Sequence, residues 1–525
     1  MPAAPDTASP LIAALRAPQC YPHAVADVEL IETHISWVLL AGAFAYKIKK
    51  PVALGFLDFS TLEARRHFCE EELRLNRRTA ADIYLGILPI SGRVDAPVLG
   101  GDGPPIEYAL QMRRFEQSAL FEVIARSGGL TAELIDSLAA MVAAFHARLP
   151  AATAGEHGTP ANVCAPALQN FDQLAESPWP PAIAARLAAL RGWTAGEAQR
   201  RDAVFRQRKA AGQIRECHGD LHLGNLALID GHPVAFDCLE FNAELRWIDV
   251  ISEAAFVMMD LFDRGCDALA WRFLNAYLAQ SGDYAGIAVL RFYLVYRALV
   301  RAKVASLHAR QLAAGTVRGS EEAAFAHHLQ LAEKLAAPRP ACLILMHGLS
   351  GSGKSRLSQH LAAELGALRV RSDVERKRLA GLAGHARSHS APGAGLYADA
   401  PSQQTYKRLA TVAAQALQAG WRVIVDAASL RAAQRDCLRE VACTAGVPFV
   451  LVSIEPPLGV LRERLARRVA EGHGVSEADA GVLDHQLHIQ DALDATERAT
   501  AVKVVGVDDD LAAVLAGVEA ILDHR

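Results

Sequence analysis

The segment that decides the fold of the C-terminal half reads Gly348-Leu349-Ser350-Gly351-Ser352-Gly353-Lys354-Ser355. It fits in full the pattern GxxxxGK followed by Ser or Thr. An apolar run typical of a buried strand, Cys342–Met346, precedes it, and a helical pattern, Arg356–Leu365, follows it. Glycines in such a turn let backbone N–H groups converge on phosphate oxygens, and the helix N-terminus favours negative charge there. The segment therefore predicts a site for nucleotide phosphates.

Each part of this segment has an expected role. The backbone of Gly348 through Gly353, with Ser350, Gly351 and Ser352, encloses the phosphates. Lys354 reaches the β- and γ-phosphates, and the Ser355 hydroxyl binds magnesium. The expected cofactors are therefore ATP and Mg²⁺.

Strands and helices alternate after this segment. The alternation predicts a five-stranded parallel sheet covered by helices, the α/β fold of a P-loop NTPase domain, over residues 342–525. The predicted strands are Cys342–Met346, Leu368–Arg371, Arg422–Asp426, Phe449–Ile454 and Val502–Val507.

Two acids lie at the predicted carboxyl edge of this sheet, where open parallel sheets bind ligands. The stretch Arg369–Arg376 contains Arg-Ser-Asp, with Asp373 after the second strand. It resembles the RSD/RDD stretch of polynucleotide-kinase-like and gluconate-kinase-like P-loop enzymes. This resemblance implies that Asp373 faces the accepting hydroxyl; an N-cap on the next helix is the alternative. Asp426 resembles a Walker-B acid, which implies a role in holding magnesium.

Two groups of arginines follow the third and fourth predicted strands in chain order, Arg422–Asp426 and Phe449–Ile454. In such kinases a basic helix closes over the phosphates, and the resemblance implies this role for Arg464 and Arg468; a solvated helix face is the alternative. Arg431 and Arg435 follow the Asp426 strand and are expected to serve the substrate or the phosphates.

A second group of candidate residues lies in the N-terminal half. The segment His218-Gly219-Asp220-Leu221-His222-Leu223-Gly224-Asn225 is followed by Asp237 at the end of a predicted hairpin. Transfer of a γ-phosphoryl group to a hydroxyl needs a carboxylate beside that hydroxyl and oxygen ligands for magnesium. Asp220, Asn225 and Asp237 supply groups of these types.

This arrangement resembles the catalytic loop of aminoglycoside phosphotransferases, relatives of protein kinases. The resemblance implies that Asp220 is the catalytic carboxylate, that Asn225 and Asp237 bind magnesium, and that His218 and His222 brace the loop. A metal site at the two histidines and an ordinary turn acid at Asp220 are the alternatives.

A kinase lobe also needs a cation for the nucleotide phosphates. The period-2 alternation in Phe44–Lys50 places Lys47 and Lys49 on one face of a strand, and Lys47 fits this role best. Its expected partner is Glu72, on a helical face of Leu62–Ala80. In contrast to protein kinases, no GxGxxG precedes Lys47. Glu240 and Asp249 resemble the family's structural acids.

The secondary-structure pattern separates two domains. Residues 20–115 are rich in predicted strands and residues 116–335 in helices, which is typical of an α+β, two-lobed protein-kinase-like domain of the aminoglycoside phosphotransferase type over residues 1–335. The segment 336–341 contains Pro338 and Pro340 and is the predicted linker. The order of parts resembles bacterial proteins described as bifunctional aminoglycoside phosphotransferase/ATP-binding proteins.

Composition narrows the class of protein. The 525 residues carry a formal net charge of −4, which argues against a protein that coats duplex nucleic acid. No apolar stretch approaches the ~20 residues of a membrane-spanning helix, and the first residues lack the pattern of a secretion signal. Nine cysteines without a CxxC pair favour reduced thiols and a cytoplasmic location.

The sequence therefore predicts an ATP- and magnesium-dependent phosphotransferase with two kinase-type modules and a small-molecule hydroxyl acceptor, such as a sugar, polyol or aminoglycoside-like compound. A nucleic-acid 5′-hydroxyl kinase in the C-terminal module is one alternative. A regulatory protein with one inactive module is another. The sequence predicts no membrane partner and does not determine the oligomeric state.

Overall fold

The computed structural model describes residues 9–54, 57–312, 316–384, 386, 390, 393–471, 480–505 and 511–523. By packing, the chain divides into two compact units. Unit 1 comprises Met1–Ser137, Ala144–Asp260 and Tyr293–Ala332, and unit 2 comprises Leu138–Ala143, Leu261–Phe292 and Glu333–Arg525. The domain boundaries that the sequence places at residues 335 and 342 stay a prediction.

An antiparallel sheet forms the first part of unit 1. Its strands are β1 (Val28–Glu32), β2 (Ser36–Ala41), β3 (Phe44–Lys49), β6 (Tyr84–Arg93), β7 (Ala96–Leu99) and β8 (Glu107–Arg113), and the short pair β4 (Ala53–Leu54) and β5 (Leu57–Asp58) follows β3. Among the described residues the order across the six-stranded sheet is β1-β2-β3-β8-β6-β7. Alternation along β3 buries Tyr46 and Ile48 in an apolar core on one face. Lys47 and Lys49 therefore lie on the other face.

Helix α2 (Leu62–Ala80) supplies an acid to that other face of β3. Thr61 begins the helix, and its hydroxyl accepts a hydrogen bond from Ala64 N–H at 3.1 Å. Cys69, Glu72 and Asn76 are buried and are spaced three and four residues apart, so they share one face of the helix. This spacing directs Glu72 toward the lysines of β3.

Short strands and helices complete the chain up to the second sheet. The strand pairs are β9 (Ile214–Glu216) with β12 (Trp247–Asp249), and β10 (Leu226–Ile229) with β11 (His232–Ala235). They hold the loop of residues 217–225 and the hairpin before Asp237. The helices other than α2 are α1 (Pro10–Leu15), α3 (Phe121–Arg126), α4 (Ala132–Arg148), α5 (Pro160–Ala175), α6 (Pro181–Ala210), α7 (Val250–Asp263), α8 (Asp267–Ser281), α9 (Ile287–Gln311) and α10 (Thr316–Ala336).

Unit 2 contains a parallel sheet. Its strands are β13 (Leu343–His347), β14 (Ala367–Arg371), β15 (Arg422–Asp426), β16 (Phe449–Ile454) and β17 (Val502–Val504). Among the described residues, five strands run parallel in the order β14-β15-β13-β16-β17. The predicted five-stranded parallel sheet is confirmed. The end of the predicted last strand, at 506–507, lies outside the described residues.

Helices cover this sheet. They are α11 (Lys354–Leu365), α12 (Ser372–Leu379), α13 (Asp399–Gln418), α14 (Ala432–Ala445), α15 (Leu458–Glu471), α16 (Ala480–Ile489), α17 (Ala495–Thr500) and α18 (Leu511–Asp523). Ile344 and Met346 of β13 pack in one core with Leu361 and Leu365 of α11. This packing fixes the turn between β13 and α11, which is the glycine-rich segment. Within the described residues, no helix combines the length and the apolar composition needed to cross a membrane.

Candidate active sites

The loop of residues 217–225 brings Asp220 and Asn225 together. The amide nitrogen of Asn225 donates to the Asp220 carboxylate at 3.1 Å and to the Asp220 carbonyl at 2.9 Å. Gly219, with φ 88°, allows the turn, since a Cβ there would approach the carbonyl oxygen of Leu245 to 3.0 Å. The amide nitrogen of Asn225 is therefore committed to Asp220.

Two buried residues hold the Gly219 peptide from both sides. Gly219 N–H donates to Glu253 Oε1 at 2.7 Å, and the Gly219 carbonyl accepts from Arg297 Nη1 at 3.3 Å. The other oxygen of Glu253 lies 2.9 Å from His146 Nε2. Glu253 and Arg297 thus position Asp220 through the backbone, a role that the spacing of the motif did not reveal.

The two histidines lie in the same loop. His218 Nε2 donates to the Phe236 carbonyl at 2.8 Å, so Nδ1 is left to accept from Asp220 N–H at 3.4 Å. His222 Nε2 lies 3.5 Å from Asp220 Oδ2, and its Nδ1 accepts from Gly224 N–H at 3.0 Å. Burial alone would raise the pKa of Asp220, but His222 and His218 hold it below its ordinary value. Asp220 is therefore ionised at neutral pH.

Asp237 meets the strand lysine. Lys47 Nζ lies 2.5 Å from Asp237 Oδ1 and 2.7 Å from Glu72 Oε1. Asp237 has φ 60°, which is uncommon outside glycine, and its N–H donates to the Tyr84 hydroxyl at 3.0 Å. The Asp237 side chain is 43% exposed, so this carboxylate opens to solvent while Glu72 is fully buried.

A second lysine shares Glu72. Lys49 Nζ lies 2.7 Å from Glu72 Oε2 and also pairs with Glu240 Oε1, and all three side chains are buried. Burial alone would raise the pKa of Glu72, but Lys47 and Lys49 outweigh it and hold that pKa at about 2. The predicted partner of Lys47 therefore lies within a larger buried network that includes Lys49.

Asp249, the other acid that the sequence singled out in this unit, forms a buried ion pair. Its carboxylate accepts from Arg208 Nε and Nη2 at 2.6 and 2.7 Å, and both side chains are buried. Its Oδ1 also accepts from Ile251 N–H at 2.9 Å, at the start of α7.

In unit 2, the glycine-rich segment turns tightly from β13 into α11. Gly348 has φ 141°, and a Cβ there would lie 2.6 Å from the Ile454 carbonyl oxygen. Lys354 Nζ donates to the Gly348 and Leu349 carbonyls at 2.7 and 2.8 Å, while Ser350 N–H donates to Gln486 Oε1 at 2.7 Å. Gln486 of α16 thus contacts a backbone donor of the segment, a contact between residues 136 apart in sequence.

Strands β14 and β15 end side by side. Asp426 is the last residue of β15, and Asp373 lies two residues after the end of β14. The Cα atoms of Arg371 and Asp426 are paired in register. Asp426 Oδ2 accepts from Arg369 Nη2 at 2.6 Å, and the same nitrogen donates to the Ser355 carbonyl at 2.8 Å. Burial alone would raise the pKa of Asp426, but Arg369 and Arg371 lower it, so the carboxylate is ionised.

Asp373 lies in the first turn of α12 rather than at its N-cap, which is Arg371. Its Oδ2 accepts from Arg371 Nη2 at 2.9 Å. A cavity of about 300 Å³ lies at this edge of the sheet. Its lining includes, of the residues that the sequence singled out, Ser350, Gly351, Gly353, Lys354, Ser355, Asp373, Asp426 and Arg431.

The remaining arginines differ in placement. Arg464 Nη1 donates to the Ser352 carbonyl at 3.4 Å, so Arg464 contacts the glycine-rich segment. The side chain of Arg468 lies outside the described residues. Arg435 is 1% exposed and donates to both oxygens of Glu497, at 2.8 and 3.0 Å. Arg435 therefore joins α14 to α17 instead of lining the cavity.

Comparison with known proteins supports both modules. Residues 112–293 match the family model described as phosphotransferase enzyme family, and residues 343–493 match the one described as AAA domain. Uncharacterized protein Rv2004c of Mycobacterium tuberculosis (strain ATCC 25618 / H37Rv) is 32% identical over 473 residues, which cover 88% of this chain and 91% of that protein. This chain belongs to the Rv2004c family.

Members of other families match single modules. Adenylyl-sulfate kinase of Myxococcus xanthus (strain DK1622) is 30% identical over 185 residues, 34% of this chain and 89% of that protein. A solved aminoglycoside phosphotransferase, APH(4)-Ia, is 13% identical with a TM-score of 0.39 and covers 60% of this chain and 94% of that chain. A solved gluconokinase from Sinorhizobium meliloti 1021 is 24% identical, with a TM-score of 0.26. The match covers 36% of this chain and 97% of the gluconokinase chain.

The two family models confirm the kinase-type nature of this Rv2004c-family chain, and with the observed sheets they confirm the predicted fold class. An aminoglycoside-phosphotransferase-like domain precedes a P-loop kinase domain. Both belong to classes that bind nucleotides and transfer phosphoryl groups.

Proposed function

We propose that the two modules are separate ATP- and magnesium-dependent phosphotransferases that act on hydroxyl groups of small molecules. In each, the acceptor oxygen bonds to the γ-phosphorus while the bond to the bridging oxygen breaks and ADP leaves. The hydroxyl proton passes to a carboxylate, Asp220 in one module and Asp373 in the other.

The observation that carries the proposal is the convergence in unit 1. Lys47 lies 2.5 Å from Asp237, and Asn225 lies 3.1 Å from Asp220, although these residues come from a strand, a loop and the end of a hairpin. Phosphoryl transfer depends mainly on such positioning of charge around the nucleotide. A protein without turnover has no need to keep both of these pairs.

The donor atoms in unit 1 fit magnesium. Asp237 offers a partly exposed carboxylate, and Asn225 offers an amide oxygen, since its nitrogen is used by Asp220. Magnesium prefers such oxygen ligands and keeps several waters. Asn225 and Asp237 would hold the magnesium, which would supply positive charge to offset that of the phosphates. Lys47 would bind the phosphates, and Asp220 would orient the hydroxyl.

In unit 2 the same chemistry is supported by a different arrangement. Ser355 and Asp426 line one cavity, and each carries an oxygen suited to magnesium. Asp373 lines the same cavity, as an acid beside the acceptor hydroxyl must. Arg464 contacts the phosphate-binding segment, which supports a role close to the phosphates.

Small-molecule acceptors fit the dimensions of this site. A cavity of about 300 Å³ falls at the lower end of the range for small-ligand pockets. The similarity to a protein named adenylyl-sulfate kinase supports a small acceptor with a hydroxyl. All nine cysteines are free thiols, which supports a reducing compartment such as the cytoplasm.

The test is transfer of label from ATP carrying ³²P at the γ-position. Wild-type protein is incubated with magnesium and sugars, polyols, aminoglycosides or 5′-hydroxyl oligonucleotides, with a matched set containing EDTA. Label on a small-molecule hydroxyl that requires magnesium supports the proposal. Label only on oligonucleotides, or only on inorganic phosphate, contradicts it.

A further inference from the structure

Three buried side chains meet where the loop of residues 217–225 begins. They are His146 in the last turn of α4, Cys217 directly after β9 and Glu253 in the first turn of α7. One nitrogen, one sulfur and one oxygen from these side chains all lie within 4.8 Å of one another. Within the described part of the chain, no other histidine, cysteine and acidic side chains form a group of three or more at this spacing.

The fold shields this group from bulk water. Cys217 and Glu253 are fully buried, and His146 is 4% exposed. Cys217 packs in an apolar cluster with Phe145 and Leu149. Apolar surroundings strengthen electrostatic interactions, so a cation bound among the three side chains would be held tightly.

The thiol is the member of the group that hydrogen bonding explains least. His146 Nε2 and Glu253 Oε2 lie 2.9 Å apart and satisfy one another. The hydrogen bond of the Cys217 thiol, to the Ile248 carbonyl, is long at 3.7 Å. A tetrahedral zinc ion lies about 2.0–2.3 Å from its ligands, which places the ligands roughly 3.5 Å from one another. Small movements of the three side chains would therefore give the distances that zinc requires.

The protonation states agree with a site that binds a cation. Burial alone would raise the pKa of Glu253, but His146 and His218 hold it below its ordinary value, so the carboxylate is ionised. Burial raises the pKa of the Cys217 thiol well above its ordinary value. A bound metal ion reverses this, because a coordinating thiol loses its proton. Binding would release the Cys217 proton and displace from His146 Nε2 the proton of its hydrogen bond to Glu253.

The types of donor atom select the metal. Zinc binds histidine nitrogen, cysteine sulfur and carboxylate oxygen, whereas magnesium and calcium prefer oxygen ligands. We infer that His146 Nε2, Cys217 Sγ and Glu253 Oε2 bind one zinc ion, with water in the fourth position of the tetrahedron. This site is separate from the proposed magnesium ligands Asn225 and Asp237, and zinc binding here does not depend on phosphoryl transfer by unit 1.

The ion acts on the loop through Glu253. The other oxygen of this carboxylate, Oε1, accepts from Gly219 N–H at 2.7 Å. Outer-shell hydrogen bonds of this kind orient a metal-bound carboxylate. The zinc ion therefore joins α4 and α7 to the peptide that precedes Asp220, as a structural ion of the loop.

The metal content of the full-length protein tests the inference. Cells are grown with added zinc, and the protein is purified under reducing conditions with EDTA and analysed by plasma mass spectrometry. Because the three ligands are buried, we expect one zinc ion per chain that EDTA removes only when the protein is unfolded. Protein produced with cobalt instead of zinc should show thiolate-to-cobalt charge-transfer absorption, which a magnesium site with oxygen ligands cannot give.

Variants assign the ion to this group of side chains. Cys217→Ser and His146→Gln should each lower the zinc content about tenfold or more, and Cys217→Ser should abolish the charge-transfer absorption. Cys20→Ser is the matched control, because Cys20 is also buried in unit 1 but packs in a different apolar core. It should keep both the zinc ion and the absorption. Circular dichroism of each variant confirms that it is folded.

Three results overturn the inference. The first is that the wild type grown with zinc holds only substoichiometric zinc, and the second is that the cobalt protein lacks the charge-transfer absorption. The third is that a folded Cys217→Ser or His146→Gln variant keeps the full zinc content. The first two use wild-type protein alone, so they apply even where a variant does not fold.

Discussion

The ammonium group of Lys47 lies 2.5 Å from the carboxylate of Asp237, although 190 residues separate the two in the sequence. The contact joins the strand whose lysine we propose as the cation for the phosphates to the segment whose carboxylate we propose as a magnesium ligand. The network of Lys47, Lys49, Glu72, Glu240 and Asp237 contains two cations and three carboxylates. Its net charge of about −1 favours a divalent cation beside Asp237.

Loss of the Lys47 ammonium should disable the N-terminal centre. We expect Lys47→Met, in a Lys354→Ala background that silences unit 2, to lower the remaining ADP formation about a hundredfold or more, because the phosphates lose their positioning cation. Lys50→Met is the matched control, since Lys50 pairs with the half-exposed Glu32 outside the network. Equal activity of the Lys47 and Lys50 variants would contradict the assignment of Lys47.

Removal of one member of the buried network should destabilise unit 1. Glu240→Gln leaves the Lys49 ammonium, which is 1% exposed, with Glu72 as its acidic partner among the described residues. We expect the free energy of unfolding to fall by about 1–3 kcal/mol, because a buried hydrogen bond between charged groups is weakened while Lys49 keeps Glu72 as a partner. Calorimetric unfolding of the wild type, Glu240→Gln, Lys49→Met and the double variant measures it. Additive effects of the two single substitutions would show that the pair is not coupled.

The backbone at Gly348 should be intolerant of any side chain. With φ 141° and the Ile454 carbonyl oxygen only 2.6 Å from the position that an added Cβ would take, Gly348→Ala must displace the phosphate-binding turn. We expect the C-terminal nucleotide site to lose affinity at least tenfold in a Lys47→Met background. Gly459→Ala, where no described atom lies within 4 Å of an added Cβ, serves as the control and keeps wild-type affinity.

Lowering the pH should reduce the free energy of unfolding of unit 2, because His347 is buried. Burial and the nearby Arg435 lower the pKa of this histidine from 6.5 to about 4. The unfolded chain therefore binds a proton that the folded chain refuses, so the stabilisation is complete above about pH 6.5 and is lost as the pH falls toward 4. At pH 5 the loss is about 2 kcal/mol.

Denaturant unfolding between pH 7 and pH 4.5 measures this effect. His347→Gln keeps a polar group near Ser453, whose hydroxyl lies 2.9 Å from His347 Nδ1, but does not titrate. Its stability should fall less steeply with acid than that of the wild type. Parallel curves for the two proteins would show that His347 is not the titrating group.

Local patterns predicted much of the fold. Helix α2 begins and ends as predicted, at Leu62 and Ala80, because a Thr61 cap and an apolar face define it. Strands β15 and β16 also have their predicted bounds, since both are short apolar runs. The hairpin from β6 to β7 was not predicted, because Gly86, Pro89 and Gly92 interrupt the alternation along β6.

Contacts between distant segments were the part that sequence spacing could not supply. Lys49 was placed on the face of Lys47, but Glu240 is 191 residues away from it. Arg435 was expected near substrate, whereas Glu497, 62 residues further along the chain, holds it in the interior. The pairing of Arg369 with Asp426 depends likewise on two strands that become neighbours only in the folded sheet.

The most direct test of two separate phosphotransfer centres is the rate of ADP formation by four proteins: wild type, Asp220→Asn, Lys354→Ala and the double variant. With acceptors for both modules present, we predict that each single substitution removes a distinct share of the rate and that the two lost shares add up to the wild-type rate. The double variant should then be inactive. Loss of the whole rate in either single variant, or an active double variant, would contradict the account.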